Sequence, residues 1–167
     1  MYILLIILLT TLTLALIPTL LIRLLAFNEE SKKQIRLTLD RLVKENRLSL
    51  EDVEFFGRKA IGLDKNKKLV FVDCSDNVVN QFCIDLDDIF FCRVNEIRDE
   101  ASGVIKEVFI ELKKKNYNES LKLTFYNRAS DKPYTKIALI KKANHWKDKI
   151  NLHKRRGKID APLEYIL

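Results

Sequence analysis

The chain is poor in the residues that build catalytic loops. Its four glycines, Gly57, Gly62, Gly103 and Gly157, lie far apart. No G-x-x-x-x-G-K-[ST] or G-x-G-x-x-G phosphate loop can be written through them, and no G-x-S-x-G elbow occurs. Cys74, Cys83 and Cys92 form an odd set without C-x-x-C spacing, which argues against a disulfide framework. They recur every nine residues and read as small buried hydrophobes at repeated strand positions. His145 and His153 have no cysteine or carboxylate at ligand spacing, so no metal is expected. "DLDD", with Asp85, Asp87 and Asp88, reads as a solvated turn and not as a catalytic pair. Neither cofactor nor catalysis is expected.

Charge is missing from the N-terminus. "MYILLIILLTTLTLALIPTLLIRLLAFN" has no charged side chain before Arg23. A cleaved signal peptide needs a basic leading region, a shorter apolar core and a small-residue cleavage site, and "IRLLAFN" offers no A-x-A. The apolar run Ile3 to Ile22 is about 20 residues, the length that spans a hydrocarbon core as a helix. Pro18 near one end is compatible with that. Residues 1–27 are expected to be a retained transmembrane anchor. Arg23, Lys32, Lys33 and Arg36 follow the span, so the positive-inside rule predicts a single-pass protein of the cell membrane with its C-terminal domain in the cytoplasm. Asn118-Glu119-Ser120 is then a chance sequon. Thr11, Ala15 and Thr19 form a small-xxx-small face through which two anchors can pair into a homo-oligomer.

Residues 28–50 contain an amphipathic linker helix: Asn28 or Ser31 can cap it, and Ile35, Leu39, Leu42 and Val43 share one side. That stripe can lie on the membrane surface, pair with a copy of itself, or cover one side of the domain. From Leu48 the period changes to two. "VEFF", "KAIGLD", "KKLVFVD", "VVNQFCIDL", "DIFFCRVNEIR", "VIKEVFIELKKK" and "ESLKLTFYN" alternate with turn-forming clusters. Short connections make the neighbours antiparallel. In "VFIELKKK", Val108, Ile110 and Leu112 share a face. About seven strands with one apolar face must curl or close on themselves. After Pro133, Leu139, Ala143, Trp146 and Ile150 step by helical intervals, which makes the only tryptophan a core anchor in a terminal helix.

The fold expected for residues 51–156 is therefore mainly β: an antiparallel curled sheet or partly open barrel of about seven strands, closed by a C-terminal amphipathic helix. Between Asp52 and Leu152 this layout resembles the bacterial pleckstrin-homology-like domains of small membrane-anchored proteins. "GLDKNKKLVFV" is similar to their first hairpin, and "IDLDDIFFCRV" to the stretch leading into the fourth strand. The resemblance implies a non-enzymatic binding or scaffold module with an unidentified protein partner. It does not extend to phosphoinositide recognition. Lys65, Lys67 and Lys68 sit in a tight turn without the following arginine of that pattern.

Charge is concentrated late in the chain. Lys136, Lys141, Lys142, Lys147, Lys149, Lys154, Arg155, Arg156 and Lys158 face Asp148 alone, in a protein of net charge +7. Of these, Lys141, Lys142, Lys147, Lys149, Lys154, Arg155, Arg156 and Lys158 are the expected contacts to an anionic surface. The alternative function is thus a membrane-surface module whose basic helix binds anionic lipid headgroups. The competing reading is a solvated helix face that complements the dipole. Nucleic acid is disfavoured, because this helix has no exposed aromatic to interleave with its basic residues. Residues 157–167 form a tail: Gly157 can end the helix, and Leu163, Tyr165 and Leu167 alternate on one side, a segment that can stay disordered, add to an edge of its own domain's sheet, or bind a protein partner.

Overall fold

The computed structural model describes residues 30, 32–75, 79–115, 120–132 and 135–159, with side chains through residue 154. The anchor at 1–27 with Thr11, Ala15 and Thr19, the caps Asn28 and Ser31, the sequon and the tail strand Leu163, Tyr165 and Leu167 lie outside the described residues. Among those described, no helix is long and apolar enough to cross a membrane.

All seven apolar runs are strands: β1 Leu50–Phe56, β2 Lys59–Asp64, β3 Lys68–Asp73, β4 Asn80–Asp85, β5 Ile89–Arg98, β6 Ile105–Lys114 and β7 Ser120–Asn127. They form two antiparallel sheets, β1-β2-β3-β4 and β5-β6-β7. Among the described residues the sheets share no ladder, so they do not close a barrel. A 3-10 turn, Leu86–Asp88, joins them; the Asp85 carboxylate accepts from the Asp87 N–H at 2.9 Å, which gives "DLDD" a capping role. Two helices flank the strands, α1 at residues 32–45 and α2 at Lys136–Ile159.

Period two decides which face each strand buries. Ile61, Leu63, Leu69, Phe71 and Ile84 point inward and meet Val108, Ile110, Leu112, Leu123 and Phe125 of the second sheet in one core. Phe56 stacks on Phe125 with centroids 4.9 Å apart. The opposite faces of the two sheets differ. On the second sheet, Arg93 reaches Glu111 at 2.7 Å and Lys122 reaches Glu107 at 2.6 Å, a polar lattice at the surface. On the first, Ala60, Val70, Val72 and Cys74 are apolar, and α1 covers them with Ile35, Leu39 and Leu42. Of the three placements open to this helix, the structure shows the one that covers its own domain. Gly62 serves that layer, since a Cβ there would stand 3.1 Å from Val70 and 3.2 Å from Leu50.

α1 stops by a Schellman motif in which Arg47 takes the left-handed position (φ 51°). The Leu48 N–H bonds Val43 at 2.9 Å, and the Arg47 N–H bonds Lys44 at 3.3 Å. The expected end of the second helix is corrected: α2 continues through Gly157 to Ile159. An interior glycine costs a helix only about 1 kcal/mol. Cysteine placement needs a correction too. Cys74 and Cys92 are buried, but Cys83 is exposed, because on β4 it points to the outer face beyond the cover of α1. The hairpin order also differs from the resemblance. The sheet's first hairpin turns at Gly57-Arg58, while "DKNK" joins β2 to β3. In that turn Asp64 accepts from the Ser49 N–H and, at 2.8 Å, from the Asn66 N–H.

Candidate functional site

α2 lies across the open side of the two sheets because its apolar stripe has nowhere else to go. Leu139, Ala143, Trp146 and Ile150 are all buried in the main core, as their spacing predicts. Trp146 has no exposed surface, and its indole needs a polar partner. The Trp146 Nε1–H donates to Glu54 Oε2 of β1 at 2.6 Å. Glu54 also receives Lys142, and Asp52, two residues earlier on the same face of β1, receives Lys149. The Lys149 ammonium lies 4.7 Å from the Trp146 ring centroid, a cation–π contact. Partial burial pushes the Glu54 carboxyl up, but the Lys142 ammonium and the Trp146 N–H outweigh it, and the group titrates below the ordinary glutamate range.

Further along α2, side chains turn to the backbone of β5. Asn151 donates to the Cys92 carbonyl at 3.4 Å and Lys154 to the Phe90 carbonyl at 2.8 Å. These bonds cover part of a free sheet edge, the place where an incoming strand would add.

The basic residues proposed for an anionic surface are thus divided. Lys142, Lys149 and Lys154 bond within the domain. Lys147 pairs with its neighbour Asp148 at 3.0 Å, and Lys141 is exposed. The side chains of Arg155, Arg156 and Lys158 lie outside those described. Glu54 and Asp52, the partners of this helix, escaped the sequence reading. Nothing in "LEDVEFF" separates them from the exposed Glu51 except the parity of the strand.

The contacts also orient the ends of the domain. Lys142 meets residue 54 and Lys149 meets residue 52, so α2 runs antiparallel to β1. The Arg36 guanidinium lies 5.9 Å from the Phe55 ring centroid, and the chain leaving α1 enters β1 at Leu50. α1 is therefore also antiparallel to β1. The first turns of α1 and of α2 share the end at which β1 finishes, and the basic C-terminus of α2 lies at the other.

Other polar contacts fasten turns and helix. Lys59, 1% exposed, pairs with Asp131 at 2.9 Å, and Asp131 also accepts from the Asn127 N–H, pinning the β7–α2 turn to the start of β2. His153 Nδ1 bonds the Lys149 carbonyl of its own helix at 2.9 Å. Among the described residues no three His, Cys, Asp or Glu side chains are grouped to hold a metal ion. Burial pushes the Cys92 thiol up to about 12, which disfavours the thiolate. Comparison with known protein families, curated proteins and solved structures finds no match to this chain.

Proposed function

We propose that the protein is a membrane-anchored cytoplasmic module of pleckstrin-homology-like architecture that binds or scaffolds a protein partner and carries out no reaction of its own. The fold supports this reading: a four-stranded and a three-stranded antiparallel sheet with a terminal helix whose tryptophan sits in the core. The observation that carries it furthest is the docking of α1. An apolar run of about 20 residues, matched to a bilayer, leads after a few residues into a helix packed on the β1–β4 sheet. A domain joined this way is held close to its anchor. Binding at a membrane gains from such restraint, because less freedom is lost when the partner docks.

The alternative, in which α2 itself lies on anionic lipid, has weaker support. Two of its lysines are committed to β1 and a third to β5, and its basic end lies away from the end that receives the N-terminal segment.

A reporter active only outside the cytoplasm, fused after Leu167 of the full chain, tests the placement. Silence, together with retention in the membrane after alkaline carbonate, is the expected result. Strong reporter activity or extraction by carbonate would sink the reading.

A further inference from the structure

The face of α1 turned away from the sheet is not an ordinary solvated surface. Lys32, Lys33, Arg36 and Leu37 line a shallow groove of about 290 Å³ on its first two turns. Leu37 is 60% exposed, and beside the helix Phe55 of β1 is 47% exposed beneath the Arg36 guanidinium. A leucine and a phenylalanine on open display, interleaved with three cations, match a surface that sits in the headgroup layer of a bilayer. Glu30 precedes the cations in the first turn of the helix, at the positive end of the dipole where a carboxylate belongs.

Position in the chain selects the occupant. Seven residues separate Ile22 from Glu30, and seven extended residues reach at most about 25 Å. The groove is therefore within reach of whatever surface holds the apolar run. The first turn of α2, with Lys136 and the 65% exposed Ile137, belongs to the same end of the domain.

We propose that this surface, Lys32, Lys33, Arg36 and Leu37 with Phe55, seats on the anionic headgroups of the leaflet that carries the anchor. The inference rests on the anchored reading above and adds to it the face by which the domain meets the membrane. The seat fixes the orientation of the module. The end bearing α1's first turns points to the lipid, and the basic C-terminus of α2 points away from it.

The test uses the full chain reconstituted in phosphatidylcholine vesicles with or without phosphatidylglycerol. A Cys83→Ser background removes the exposed thiol, and a fluorophore is placed at Leu37→Cys or, at the far end, at Leu152→Cys. Headgroup spin-labelled lipid serves as quencher. The Leu37 probe should be quenched in the anionic vesicles and released by salt, while the Leu152 probe stays bright. Lys33→Gln and Arg36→Gln should each lower the seated-to-free ratio about fivefold; both side chains are exposed and their replacement should leave the fold intact. A bright Leu37 probe in protein that resists carbonate extraction overturns this face alone. Quenching at Leu152 in place of Leu37 overturns it in favour of α2. Shielding that follows protein concentration and ignores lipid charge assigns the surface to a second copy. Extraction by carbonate overturns the anchor and this inference together.

Discussion

The two helices look alike in sequence and differ in what they hold together. Each carries an apolar stripe on a charged background. α1 places Ile35, Leu39 and Leu42 on the outside of one sheet and builds a cluster separate from the main core. α2 places Leu139, Ala143, Trp146 and Ile150 between both sheets and belongs to the main core. Its polar side chains also bond β1 and β5. A helix that covers a finished sheet adds a layer, whereas one that packs across the open side of two sheets completes the core they share.

Trp146→Ala should break this arrangement most severely. Loss of a buried aromatic costs about 3–5 kcal/mol, and Glu54 loses its indole donor at the same time. Chemical denaturation checks the value. A cost below about 1 kcal/mol, the ordinary effect of a point substitution, would show that α2 does not fill the core.

Leu39→Ala comes next, at about 2–3 kcal/mol, and should leave the near-ultraviolet dichroism of Trp146 unchanged. If that signal disappears along with α1, the two clusters unfold as one unit and the distinction between the helices fails.

Acid should act more gently, and on the α2 side. Glu54 titrates below its ordinary range when folded. Its contribution to stability is therefore complete above the unfolded value and is lost as pH falls through the folded one. Glu54→Gln should flatten the fall in stability below about pH 4.5. An unchanged acid limb would remove the carboxylate from the account of how α2 is fastened.

Thiol labelling of the native protein compares the two helices without mutation. Cys83 should react first. Cys74 lies beneath α1 and Cys92 in the core that α2 completes. If α1 opens alone, Cys74 should label faster than Cys92, which waits for global unfolding. Equal rates would mean that α1 has no opening of its own.

Much of the architecture is legible in the sequence because period and punctuation are local properties. All seven runs between turn clusters became strands, and the spacing around Trp146 announced its burial. Contacts across sequence are not written that way. Glu54 and Trp146 stand 92 residues apart, and neither residue's neighbours point to the other. Parity within a strand does not say how much of a face is covered, which is why Cys83 departs from the expectation: β4 carries its apolar Phe82 and Ile84 inward, while on its other face Gln81 accepts from Arg41 of α1 at 3.3 Å and Cys83 stays exposed. The basic stretch of α2 is divided for the same reason. Lysines that look equivalent along α2 meet carboxylates, a backbone carbonyl or water according to the strand opposite. Lys32, Lys33 and Arg36 read in sequence only as a basic flank, because the Phe55 that joins them on the face of α1 comes from a different element.

The seam between Glu54 and Trp146 also sets a clock for biosynthesis. At about 5–20 residues per second, roughly 5–20 s pass between the ribosome's addition of one residue and of the other. During that interval β1 to β7 can pair as hairpins, but the space between the sheets has no indole to fill it and the two β1 carboxylates have no lysines. The nascent domain therefore stays incomplete until α2 has been made, and a message truncated before residue 146 would yield a chain with an open core.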